Sequence, residues 1–102
     1  EWTVMTDFLG GASVAGVKMK TIFGWTGGVN GTNLSGFSGL PGGNRYNNGY
    51  FYGAGTSGYW WSSSPNGSNA WLRILSRYVE YVNRKSMDSQ GGFSIRCVRD
   101  AE

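Results

Sequence analysis

Between Thr26 and Gly58 the chain is dominated by Gly, Asn and Ser. Such a stretch does not sustain a helix, because each Gly costs about 1 kcal/mol relative to Ala. It also offers few side chains to pack in a strand. Gly36-Phe37-Ser38-Gly39-Leu40-Pro41-Gly42-Gly43 is punctuated by turn formers, and Asn47-Asn48-Gly49 marks another turn. Only short strands fit, at 44–46 and 50–52. Regular structure must therefore come from the flanks. A stretch this long without regular structure is unusual in a compact domain and is often functional.

The N-terminal flank has helical spacing. Trp2, Met5 and Leu9 share one face, with Val4 and Phe8 beside them, and Gly10-Gly11 stops the helix. A second short helix is expected over Ser13 to Lys20, weakened by Gly16. Ile22, Phe23 and Trp25 are expected to form a small apolar cluster. The C-terminal flank reads as strands at 58–63, 69–76 and 79–84. Pro65-Asn66-Gly67 turns the first into the second. A closing strand at 92–99 alternates Phe93, Ile95 and Cys97 against Ser94, Arg96 and Val98. Helices followed by an antiparallel sheet give an α+β fold class, with one or two N-terminal helices, long Gly/Asn-rich loops and a small antiparallel sheet.

Composition narrows the function. The chain has 102 residues, enough for one domain with a modest core. Gly is abundant, but 16% aromatics argue for a folded domain rather than disorder. The net charge of +3 is spread over Arg73, Arg77, Arg84, Lys85, Arg96 and Arg99, too loosely for a nucleic-acid stripe. No apolar run approaches the roughly 20 residues of a membrane helix, so no direct membrane insertion is expected. No signal peptide opens the chain, and Glu1 suggests a fragment or a processed product.

There is no His, which removes the usual imidazole base and metal ligand. Ser62-Ser63-Ser64 has no evident base to activate it. Asp7, Asp88 and Asp100 are scattered and form no catalytic pair. No cofactor and no metal are expected. The single Cys97 is expected to be a buried, inert thiol beside Phe93 and Ile95. Of the adjacent Trp60 and Trp61, one belongs in the core. The other either stacks on a ligand or is buried beneath the long loop. Arg96 and Arg99 read as scaffold pins that bond loop carbonyls or carboxylates.

An ordered set of motifs carries more. Glu1-Trp2-Thr3 with Leu9-Gly10-Gly11 is followed by Ala15-Gly16-Val17-Lys18-Met19-Lys20 and then by Thr32 to Arg45. Gly58-Tyr59-Trp60-Trp61-Ser62-Ser63-Ser64, Asn69-Ala70-Trp71 with Arg73 and Leu75, Val82 with Arg84, and the closing Gly92 to Asp100 complete the set. Across nearly the whole chain it resembles the Fibrobacter succinogenes major paralogous domain. That resemblance implies a C-type lectin-like scaffold, shared with sulfatase-modifying proteins and with the variable proteins of diversity-generating retroelements. It implies a secreted or lipid-anchored bacterial surface protein, exported by a signal outside this chain. It also implies an upstream strand and cysteine, absent here, that would pair with the closing strand and with Cys97.

The same resemblance directs attention to residues 72–85. The family pattern specifies Trp71, Arg73 and Leu75, expected to pack the scaffold with Trp71 in the core, and leaves the alternate face free. The candidate ligand-binding face is Leu72, Ile74, Ser76, Arg77, Tyr78, Glu80, Tyr81, Asn83 and Lys85. Two readings of Leu72 and Ile74 stand: exposed contact residues, or packing beneath the Gly-rich loop. The expected function is a non-enzymatic ligand-binding or adhesion module with a protein or glycan partner. The first alternative is a hypervariable display protein of a retroelement, against which Glu80, Lys85 and Met87 argue mildly, since adenine randomisation of Asn-type codons does not yield them. The second is a sulfatase-modifying-like enzyme using Cys97 with copper.

Overall fold

A computed structural model describes residues 1–27 and 30–97. Two helices, α1 (Trp2–Phe8) and α2 (Ala12–Met19), precede five strands. These are β1 (Gly42–Arg45), β2 (Phe51–Ala54), β3 (Ser57–Asn66), β4 (Asn69–Ser76) and β5 (Asn83–Asp88). They form one sheet in the order β2-β1-β3-β4-β5. The fold class is α+β as expected, but the sheet is mixed rather than antiparallel, because β1 pairs with β3 in parallel at Gly43 and Gly58. That single pairing lets the β1–β2 hairpin curl away from the main sheet.

One face of β3 and β4 packs on the helices. Trp60 and Leu75 meet Leu9, Ala15, Met19, Trp25, Phe37 and Val82, with Trp2 and Met5 at the margin. Phe37 anchors the Gly-rich loop here. Its ring lies 5.5 Å from Trp2 and 5.4 Å from Trp60, within the range of favourable aromatic pairs. Arg96 pins the same loop, donating from Nη1 to the Phe37 carbonyl at 3.0 Å. Arg99, its expected companion, lies outside the described residues.

The expected cluster of Ile22, Phe23 and Trp25 does not form. Trp25 is buried, donating from Nε1 to Thr21 Oγ1 at 3.1 Å, while Ile22 and Phe23 are exposed. Val4 and Phe8 also face outward, so α1 packs through a narrow stripe only.

The closing segment is not a full strand. Gly92 exchanges two backbone hydrogen bonds with Arg45, and Ser94 bonds the backbone of Tyr59 and Trp61. The segment thereby fills the gap where β1 diverges from β3. Among the described residues the ladder ends at Ser94. Alternation needs a partner strand to bury one side, and without it Ile95 is 74% exposed and Cys97 is exposed too. The expected burial of Cys97 is thus corrected. Val98 lies outside the described residues.

Phe93 sits between those two anchors. It packs against Tyr59 (5.5 Å) and Trp61 (4.2 Å) on the sheet face opposite the helices. Trp60 is therefore the core tryptophan, while Trp61 is half-buried against Phe93.

Candidate functional site

The candidate face divides at Ser76. In the β3–β4 register, Leu72 lies opposite Trp61 and Ile74 opposite Tyr59. Phe93 covers those two neighbours, and Leu72 is 0% and Ile74 8% exposed. They are packing residues, so the reading of them as exposed contacts is corrected. The covering ring, Phe93, comes from the closing segment, which lies far away in sequence.

The expected strand at 79–84 is also corrected. Residues 77–82 form a loop, and β5 begins only at Asn83. The side chains here face solvent: Tyr78 is 65% and Tyr81 48% exposed, and Glu80, Asn83 and Lys85 are exposed as well. Ser76 and Arg77 are half-buried. Asn83 and Lys85 lie opposite Ile74 and Leu72 on the outer strand of the sheet.

What distinguishes this loop is how its backbone is held. Lys20, at the end of α2, is 1% exposed and donates from Nζ to the carbonyls of Ser76 (2.9 Å) and Val79 (3.1 Å). The same ammonium lies 5.4 Å from the Trp25 ring centroid. Burial pushes the Lys20 pKa below its ordinary 10.5, opposed by the nearby Glu80 carboxylate. Further along, Val17 N–H donates to Glu80 O (3.3 Å), and Val82 N–H donates to Ala12 O (2.7 Å). At the entry, Arg77 N–H donates to Thr56 O (2.9 Å).

Gly16 permits this contact between helix and loop. A Cβ at that position would lie 2.6 Å from the Glu80 carbonyl oxygen and 2.8 Å from that of Tyr81. The glycine that weakens α2 as a helix is what lets the loop dock on it.

The loop side chains have their own support. The Arg77 guanidinium stacks over the Tyr78 ring at 4.4 Å and donates from Nη1 to the Thr26 carbonyl at 3.1 Å. Tyr78 is thus a large exposed aromatic braced by a cation–π contact. A fixed backbone bearing Tyr and Arg resembles a pre-organised binding surface, because two-torsion aromatic side chains lose little entropy on contact.

Neither Lys20 nor Gly16 stands out as a site residue in the sequence. The available signal was a glycine interrupting a helix, followed by a lysine where the chain leaves it.

The model of the Fibrobacter succinogenes major domain matches residues 1–99. The chain belongs to this family. The match takes in both helices, all five strands and the loop between β4 and β5. No curated protein and no solved structure matches the chain. Within this major domain, motif residues Gly16, Lys20, Trp60 and Leu75 serve the scaffold. Trp71, expected in the core, is only half-buried, with the Arg84 guanidinium 3.7 Å over its ring. Among the described residues no group of three His, Cys, Asp or Glu could hold a metal ion, and no helix is long and apolar enough to cross a membrane.

Proposed function

We propose that this Fibrobacter succinogenes major domain is a non-enzymatic ligand-binding or adhesion module. Its scaffold is C-type lectin-like, and it acts at the outer surface of a bacterium. The observation that carries the reading is the loop from Arg77 to Val82. Its backbone is tied down by Lys20, Val17 and Ala12 while Tyr78, Glu80 and Tyr81 face solvent. Fixing a loop in advance is costly and useful mainly when its side chains must meet a partner in one geometry. The ligand is a protein or a glycan. Aromatic and Arg side chains with small polar neighbours suit either, since Tyr supplies both a flat apolar face and a hydroxyl. The absence of His and of any evident base beside Ser62 to Ser64 supports binding rather than catalysis.

The test uses the labelled domain on a glycan array and on bacterial and animal cell surfaces. The double variant Tyr78→Ala/Tyr81→Ala should lose at least about tenfold in affinity, or about 1.4 kcal/mol, with an unchanged melting temperature. Binding of the double variant equal to wild type would refute the assignment of the loop. No binding by the wild-type domain to any of these surfaces would refute the module itself.

A further inference from the structure

A second feature lies on the helix-facing side of the sheet, apart from the loop. Arg73 of β4 and Arg84 of β5 are direct cross-strand partners. Like charges placed opposite one another in an antiparallel ladder repel. Arg73 is also 7% exposed. Burial, and after it the neighbouring Arg84, lower its pKa from the ordinary guanidinium range.

A buried guanidinium normally has a carboxylate partner and good hydrogen bonds. Arg73 has neither. It donates to the Leu72 carbonyl and to Thr3 Oγ1, each at a long 3.4 Å, although a guanidinium carries five N–H donors. Arg84 stacks on Trp71 and has no ion pair among the described residues. Glu1 borders the same cleft without pairing with either arginine.

The cleft encloses about 160 Å³ and is lined by Thr3, Ser62, Ser64 and Trp71 besides the two arginines. That is well below the roughly 300 Å³ at which small-molecule pockets begin, but it is ample for a small ion. Hydroxyl donors, two converging positive charges and unused N–H groups define the complementary ligand as negatively charged and rich in acceptors. We propose that this cleft binds a tetrahedral oxyanion: a sulfate or phosphate group, free or carried as an ester on a larger ligand. The anion supplies the counter-charge that no described residue places between Arg73 and Arg84.

The test is thermal unfolding of the full chain with sodium sulfate or sodium phosphate, against sodium chloride at matched ionic strength. Sulfate stabilises proteins generally, through a linear effect that every variant shares. The site predicts in addition a saturable rise in melting temperature, half-complete on the order of 1 mM. Arg84→Gln changes an exposed side chain and should keep the linear part while losing the saturable one. Tyr78→Ala/Tyr81→Ala should keep both, which separates this site from the display loop.

Phenyl sulfate distinguishes the two sources of the anion. A saturable rise with phenyl sulfate assigns the site to an ester, and a rise with inorganic sulfate alone assigns it to the free ion. No saturable rise with any of the three anions, or an equal rise in Arg84→Gln, would overturn the proposal. So would a fall in melting temperature for Glu1→Gln in chloride, because Glu1 would then be the missing counter-charge.

Discussion

Leu72 and Ile74 on one side of Ser76, and Tyr78 and Tyr81 on the other, look alike in the sequence: large side chains on a face that the family pattern leaves free. The structure gives them opposite roles. In β4 the side chains are buried and the backbone belongs to a ladder shared with β3 and β5. In the loop the backbone is captured by α2 and by Lys20, and the side chains are left to solvent. Freedom from the family pattern therefore does not mean exposure.

The largest effect should come from Leu72→Ala. A fully buried leucine lost from a two-layer core costs about 2–5 kcal/mol, read by denaturant unfolding. A cost below about 1 kcal/mol would return Leu72 to the display face. Gly16→Ala comes next, at about 1–3 kcal/mol, because the new methyl group must displace the backbone at Glu80 and Tyr81 rather than a flexible side chain. On helix propensity alone the same change should stabilise α2 by about 1 kcal/mol, so the sign of the effect decides between docking and propensity. Lys20→Met keeps the apolar stem but removes the ammonium donor from the Val79 carbonyl and leaves that of Ser76 with the long bond from Val79 N–H (3.5 Å). It should cost about 1–3 kcal/mol. The smallest effect belongs to Tyr78→Ala/Tyr81→Ala, within about 0.5 kcal/mol of wild type in the same assay.

Much of this was legible in the sequence. The bounds of β4 coincide with the patterned stretch Asn69–Ser76, and both helices lie within a residue or two of the expected spans. These segments carry strong local periodicity, and their packing follows it. The candidate face was legible in part: Tyr78, Glu80, Tyr81, Asn83 and Lys85 are exposed as a binding surface requires, whereas Leu72 and Ile74 are not.

The failures share one cause, which is a partner distant in sequence. Residues 79–84 carry Val, Tyr and Val and read as a strand, yet α2 and Lys20 take their backbone partners first. The edge strand β5 instead uses Asn83-Arg84-Lys85-Ser86-Met87-Asp88. That composition is poor in intrinsic strand formers but suited to an edge, where charge discourages pairing with another chain. Likewise Ile95 and Cys97 alternate correctly with Phe93, but among the described residues no strand lies beside them to bury that side.

The loop from Arg77 to Val82 is held as firmly as the strand before it. Native-state hydrogen exchange tests this amide by amide. The N–H groups of Arg77 and Val82, bonded to Thr56 and Ala12, should be protected to within about 1 kcal/mol of the β4 amides. In Lys20→Met the same two amides should exchange faster while β4 keeps its protection. Exchange at Arg77 and Val82 near the rate of an unstructured chain in the wild-type domain would show a loose loop, and would contradict the account.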